Sequence, residues 1–202
     1  MAGAMSGDPE GAARKPRADA RRNRERVLEA AKAVFSQGGA GASLEAVARR
    51  AGVGIGTLYR HFPTREALFE AVYRREVEQL VELAETLRGG ASPTEALRRW
   101  MRANVELVAT KKGMVAALAV VAQNSPELMA YSMDRLTQAL GELLARAAAA
   151  GEIRGDIGAD EVLRAMFGIC YAQDRPDWQE AALRLIEVFV DGLRQRREPA
   201  PA

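Results

Sequence analysis

The segment Leu44-Glu-Ala-Val-Ala-Arg-Arg-Ala-Gly-Val-Gly-Ile-Gly-Thr-Leu-Tyr-Arg-His-Phe62 admits few arrangements, because its small and apolar positions suit two short helices crossing at a tight turn. Val47 and Ala51 give the first helix an inward face, and Ala48 is small enough for a second helix to cross close to its backbone. Gly52 supplies a turn at which a positive φ costs little. Val53 and Leu58 then return to the core. The outer face of the second helix keeps Ile55, Gly56, Thr57, Tyr59, Arg60 and His61, a short, polar and aromatic surface without an acid. A helix of this kind fits the major groove of B-DNA, where its side chains reach base edges and phosphates. An ordinary helical hairpin explains the buried positions equally well. It does not explain that outer face.

Charge divides along the chain in the same sense. The net charge of +2 conceals +6 on residues 1–65, where 12 Lys or Arg face 6 Asp or Glu, and −4 on the remainder, where 17 face 21. The density is greatest from Arg14 to Arg26, and Arg21, Arg22 and Arg24 at the entry to the first helix are expected to touch phosphates, making binding salt-dependent. Residues 1–19, rich in Gly, Ala and Pro before the helix, read as a flexible basic tail that serves either phosphate neutralisation or solubility.

Local signals predict an all-α fold of about nine helices. Val27, Leu28, Ala31, Val34 and Phe35 recur at helical spacing from about Ala20, and Gly38-Gly39 ends that helix. Ser43 is an N-cap for the second helix, and its hydroxyl or the neighbouring amides could hold a phosphate. Phe62-Pro63 stops the third helix, and Thr64 caps a fourth running to about Leu87. Ser92-Pro-Thr-Glu95 joins an N-cap serine, a first-turn proline and a glutamate placed to close a capping box, so a fifth helix should run to about Thr110. After Lys111-Lys-Gly113, a short helix over about Met114–Ala122, a long one from Pro126 to Ala150, and helices over about Asp160–Tyr171 and Asp177–Arg196 complete the set. The resulting division is a tail (1–19), a three-helix helix-turn-helix domain (20–65), a connector helix and loop (66–91), and a C-terminal regulatory and dimerisation domain (92–202).

Several of these residues together resemble a known family. The order Arg26-Val-Leu-Glu-Ala-Ala-Lys-Ala-Val-Phe35, Gly38-Gly39, Ser43 to Gly52, Gly56-Thr-Leu-Tyr-Arg-His-Phe62 and Arg65-Glu-Ala-Leu68 is similar to the DNA-binding domain of the tetracycline-repressor (TetR) family. The resemblance covers about a quarter of the chain. It implies an all-helical homodimer that binds a palindromic operator and usually represses transcription until a small molecule enters its C-terminal domain. On the matching positions it implies phosphate contacts from Thr57, Tyr59, His61 and Arg65, the last where lysine is usual. Gly54 and Ile55 depart from the family's serine and long polar residue. Ile55 is left with apolar contact to a thymine methyl, and DNA shape then carries a larger share of specificity.

The C-terminal half offers two further expectations. Val162, Met166 and Ile169 on one helix, and Leu183, Ile186, Val190 and Leu193 on the last, form stripes at three- and four-residue spacing that suit either the protomer's own core or a two-fold four-helix interface. The resemblance favours the interface, and two-fold symmetry would set two recognition helices roughly 34–36 Å or somewhat more apart on an inverted-repeat operator in double-stranded DNA. Trp100, Met101, Asn104, Met114, Leu118, Gln123, Met133, Phe167 and Tyr171 combine bulk with a few orienting polar groups, as a small-molecule pocket requires, although each also suits simple core packing. Methionine adapts its shape to a pliable site. With no acid or base evident amid these apolar helices, the expected ligand is neutral or largely apolar.

Other function classes lack their residues. An enzyme would need a nucleophile, an acid–base pair, a metal or a cofactor loop, and Gly52-Val-Gly-Ile-Gly56 does not follow a strand as a phosphate loop should. Cys170, the single cysteine, has no partner for a disulfide, and with His61 alone beside it there is no plausible zinc set. No cofactor is expected. No apolar run approaches the roughly 18 residues of a spanning helix and no signal-peptide core stands at the N-terminus, so a cytoplasmic protein without membrane contact is expected. Two alternatives remain: a ligand-insensitive regulator or an activator of the same fold, and a helical protein-interaction scaffold, which would leave the charge division unexplained.

Overall fold

The structure, a computed structural model, describes residues 10–38, 43–90, 92–113, 126–172 and 175–194, and side chains over 19–36, 43–90, 92–112, 126–172 and 175–194. Among them are eight helices: α1 (Glu10–Gly38), α2 (Leu44–Ala51), α3 (Ile55–His61), α4 (Arg65–Leu87), α5 (Pro93–Gly113), α6 (Pro126–Ala149), α7 (Ala159–Tyr171) and α8 (Trp178–Leu193). The all-α expectation is met. The short helix expected over Met114–Ala122 lies outside the described residues. No described helix is long and apolar enough to cross a membrane.

The helix starts follow the predicted caps. Ser43 Oγ accepts the Ala46 amide at 3.1 Å, Thr64 Oγ1 accepts that of Ala67 at 3.0 Å, and Ser92 Oγ accepts that of Glu95 at 3.2 Å. Each hydroxyl satisfies a backbone donor that the first helical turn leaves unpaired. Two boundaries differ from expectation. Helix α1 begins at Glu10 rather than near Ala20, reaching well into the segment read as a tail, because residues 10–25 are rich in Ala and Arg, which favour helix without needing burial. Glu95 does not close a capping box. Its carboxylate lies 3.6 Å from Arg98, while Glu152 accepts the Thr94 amide at 2.9 Å.

Helix α4 carries the molecule's two halves on one continuous core. Its first three turns place Leu68, Phe69 and Val72 among Val27, Leu28, Ala31 and Phe35 of α1, with the Phe35 and Phe69 ring centroids 4.2 Å apart. Farther along, Val77, Leu80, Val81, Ala84 and Leu87 belong to the same cluster as Leu97, Trp100 and Met101 of α5 and Leu136, Leu140 and Leu143 of α6. Charged pairs reinforce the joint with α1. Lys32 meets Glu76 at 2.6 Å, and Arg75 bridges Glu25 at 3.4 Å and Glu29 at 2.9 Å. Glu76 is almost wholly buried, so the Lys32 ammonium neutralises a charge that could not stand there alone.

The stripes expected to form a dimer surface turn inward instead. Val162, Met166, Ile186 and Val190 are fully buried within one protomer and Leu193 nearly so; Ile169 and Leu183 are half-buried. Helix α5 packs on both α7 and α8, and α6 packs on α7, so the inner face of this helical pair is already covered. The correction has a simple origin. Helix α8 is apolar over a wider arc than one stripe, and the second part of that arc, with Leu185 and Val188, faces outward beside Gly192. On α7 the matching side consists of Ala165, Gly168 and Ala172.

Candidate nucleic-acid interface and regulatory core

The crossing of α2 and α3 rests on one backbone conformation. Gly52 adopts φ 63° and ψ 37°, its amide donating to Arg49 O at 3.2 Å, while the Val53 amide donates to Ala48 O at 3.0 Å. A Cβ at Gly52 would meet nothing nearer than an Arg26 nitrogen at 3.9 Å, so the left-handed backbone, and not lack of room, demands glycine. Val47, Ala48 and Ala51 are buried beneath the turn and Leu58 is the one fully buried residue of α3. Phe62 then ends α3, its amide donating to Leu58 O at 2.8 Å and its ring buried.

Everything else on α3 is offered outward. Ile55 and Tyr59 are 39% and 45% exposed, unusually high for large apolar side chains, and a Cβ at Gly54 or Gly56 would meet nothing within 4 Å. Gly54 begins the helix without a side-chain cap and its carbonyl accepts the Thr57 amide at 2.9 Å, so among the described residues only the Ile55 and Gly56 amides of the first turn are left as donors for an anion. Arg60 folds back, Nη2 donating to Thr57 Oγ1 at 3.2 Å and Nε to Gly56 O at 3.4 Å; this parks a mobile cation against the helix from which it can reach a duplex. Thr57 and His61 are half-buried at the edges of the exposed face.

The remaining expected contacts divide into two groups. Arg21, Arg22 and Arg24 are exposed, Arg22 pairing with Asp19 and Arg24 standing 5.3 Å above the Phe62 ring, which brings α1 to the end of α3. Ser43 uses its hydroxyl as the α2 cap. Arg65 lies over the aromatic pair, 5.9 Å from the Phe35 ring and 5.2 Å from that of Phe69. This stacking favours a bracing role between α1 and α4 in addition to any contact with DNA.

Inside the C-terminal half, the residues read as pocket-lining separate by role. Trp100 is wholly buried and its Nε1 donates to Leu80 O at 2.8 Å, so it ties α5 to α4. Met101 is also wholly buried, whereas Met133 and Phe167 are half-buried and Tyr171 is 46% exposed. Asn104 is 0% exposed, yet among the described residues neither its Oδ1 nor its Nδ2 has a hydrogen-bond partner. Met114, Leu118 and Gln123 lie outside the described residues.

A group that sequence reading passed over stands on the same helix face. Asn104 and Lys111 are seven residues apart, two turns along α5, which continues to Gly113 instead of ending near Thr110. The half-buried Lys111 ammonium lies 5.7 Å from the Tyr73 ring and 6.0 Å from the Phe167 ring, and burial pushes it below the usual lysine range. The expectation of interior helices without a charge is thereby corrected: the Lys-Lys-Gly run reads as a loop, but the spacing to Asn104 is the signal that could have found Lys111. Burial also raises the Tyr73 phenol, against the opposing pull of the Ser132 hydroxyl, which itself donates to Leu128 O at 2.7 Å. Cys170 is buried, and burial pushes its thiol up to about 11, against the pull of Lys112. It is therefore a packed thiol rather than a nucleophile. No group of three or more potential metal-binding side chains is gathered among the described residues.

Known proteins share both halves. Residues 27–72 match the family model of bacterial regulatory proteins, tetR family, and residues 92–195 match that of the SbtR-like transcriptional regulator C-terminal domain. The TetR transcriptional regulator SCO0520 of Streptomyces coelicolor is 45% identical, with 85% of this chain and 98% of that one aligned at a TM-score of 0.77. A TetR regulatory protein of Mycobacterium vanbaalenii is 39% identical, covering 89% and 99% of the two chains at a TM-score of 0.68. The transcriptional regulator UidR of Escherichia coli K12 is 25% identical over 181 residues, 87% of this chain and 91% of its own, and the transcriptional repressor KstR of Mycobacterium tuberculosis is 30% identical over 135 residues, 65% and 61%. With a glycine-turned helix-turn-helix presenting an open face and family models matched on both sides of α4, the chain belongs to the TetR family and is a DNA-binding transcriptional regulator, not an enzyme.

Proposed function

We infer that the protein acts as a homodimer that represses transcription from an inverted-repeat operator and is released by a small organic molecule bound in its C-terminal half. The observation that carries this reading is the α3 surface: one buried anchor, Leu58, holds a helix whose Ile55, Tyr59 and Arg60 side chains are exposed, with open space over Gly54 and Gly56. Thr57, Tyr59 and His61 hold phosphates, with Arg21, Arg22 and Arg24 on the flanking backbone; Ile55, Gly56 and Arg60 lie toward the base edges. The outward apolar faces of α7 and α8, led by Leu185 and Val188, supply the two-fold contact in place of the inner stripes. Relatives bearing the word repressor in their names support the sign of regulation.

Release requires a ligand that prefers a different placement of α4. The joint between Lys32, Glu76, Arg75, Glu25 and Glu29 makes α1 follow α4, and the Ser36 and Thr110 hydroxyls, 3.4 Å apart, bring α1 to the last turns of α5. A ligand at α5 can thus shift the spacing of the two recognition helices, provided its affinity differs between the two arrangements.

Selection of bound fragments from genomic DNA, followed by titration at several salt concentrations, tests the reading. An inverted repeat should be enriched. Tyr59→Ala should weaken binding to operator and random DNA alike while leaving the salt slope near that of wild type, because the phenol carries no charge. Ile55→Ala should change sequence preference more than affinity. Failure to enrich a repeat, or a Tyr59→Ala protein that binds both DNAs like wild type, would overturn the assignment.

A further inference from the structure

Asn104 is anomalous for a structural residue. A buried amide with neither donor nor acceptor satisfied among the described residues loses its hydration without compensation, and a leucine, which has the same branched shape, would carry no such cost. Lys111, two turns on, carries a second uncompensated cost. Its ammonium is half-buried against two aromatic rings, and no carboxylate pairs with it among the described residues. Residues 113–125, which follow it, contain no acid at all. The neighbouring positions on that face, Met101 and Val108, are buried and apolar, and Phe167, against which the ammonium lies, is half-buried with surface still to give.

We propose that this face of α5 binds an elongated amphipathic acid, whose carboxylate pairs with Lys111 and whose far end carries a hydroxyl or similar group that both donates to and accepts from the Asn104 amide. This rests on the proposed ligand-released function and names the ligand's chemistry. The two protein groups are separated by seven residues, a rise of about 10 Å, so an unbranched body of roughly ten carbons spans them. Stacking on Tyr73 and Phe167 keeps the ammonium in place without neutralising it, which leaves the full pairing energy for the incoming anion.

Calorimetric titration of the full-length protein with 10-hydroxydecanoate, decanoate and decan-1-ol, all below their aggregation concentrations, tests the idea. Wild type should bind them in that order of decreasing affinity. Lys111→Met should remove the preference for acid over alcohol, a loss of roughly tenfold or more, and Asn104→Leu should remove the preference for the hydroxy acid. Both variants should melt no lower than wild type, because each deletes a desolvated, unpaired group. A role confined to packing would instead lower the melting temperature. Equal binding of alcohol and acid, an unchanged acid affinity in Lys111→Met, no binding of any of the three probes, or a fall in melting temperature for Asn104→Leu would each overturn the proposal. Operator binding without probe, measured on the same three proteins, separates the two levels. Its absence in wild type sinks the regulator reading, while intact operator binding with unselective probes sinks only the acid-recognising site.

Discussion

The helix-turn-helix and the α5 interior place their working groups on opposite sides of a similar scaffold. In the first, buried residues are all apolar or small, the Gly52 and Val53 amides at the turn have their partners, and the polar groups of Thr57, Tyr59, Arg60 and His61 lie on the exposed face or at its edges. In the second, Asn104 and Lys111 sit among apolar side chains with their polar capacity unspent. The difference follows from the size of what each must hold. A DNA duplex cannot enter a protein, so its reader is an exposed face whose groups stay hydrated until binding. A small molecule can be enclosed, and enclosure strengthens each polar contact while costing stability when the site is empty.

That contrast can be broken or sharpened by substitution. The largest effect should come from Trp100→Ala, which deletes a wholly buried indole and the bond to Leu80; melting in denaturant should show a loss of about 3–5 kcal/mol. A loss under 1 kcal/mol would mean that Trp100 lines a cavity and belongs with the ligand groups. Next, Lys32→Met leaves Glu76 buried without its cation. A cost of about 2–3 kcal/mol is expected, below the full value for a buried pair because Lys32 keeps some contact with water, and ligand-induced release of DNA should weaken as α1 uncouples from α4. Unaltered release would remove this joint from the transmission path.

Gly52→Ala should cost about 1–2 kcal/mol, since alanine must take the left-handed backbone although there is room for its methyl. Operator affinity should fall by more than the stability loss implies, because the crossing angle of α2 and α3 would relax. Operator affinity equal to wild type would show that the reading face tolerates a changed turn. The smallest effect concerns pH. Hydrogen bonding from Arg135 holds the Glu78 carboxyl below its ordinary value, despite partial desolvation, and Tyr131 donates to it at 2.7 Å. A depressed carboxylate stabilises the fold above its unfolded pKa and loses that contribution as acid protonates it. Glu78→Gln should therefore narrow the gap between melting temperatures at neutral pH and near pH 4, by at most the roughly 0–1 kcal/mol of an exposed pair.

Legibility in the sequence followed the range of the interactions involved. Ser43, Thr64 and Ser92 cap helices through hydroxyls acting three residues away, and Gly52 answers to its own φ, so each could be read from its neighbours alone. Apolar periodicity marks burial, so it does not show the start of α1, where a helix rich in Ala and Arg needs none. The stripes of α7 and α8 were recognised as apolar, but their partner was not, since a helix with a broad apolar arc offers two faces of similar character. Lys111 is hidden because a lysine pair near a glycine has the composition of a loop.

By itself the sequence determined the helices, their caps, the glycine turn and the short outward face of α3, all of which depend on propensity and on hydrogen bonds within one or two turns. Tertiary structure decided which stripe of α8 met the protomer's own core, that Trp100 is spent tying α5 to α4, and that an amide and an ammonium share an interior face. Those outcomes depend on which helices cross beneath which. Burial and polar satisfaction are properties of that crossing, and no local pattern encodes them.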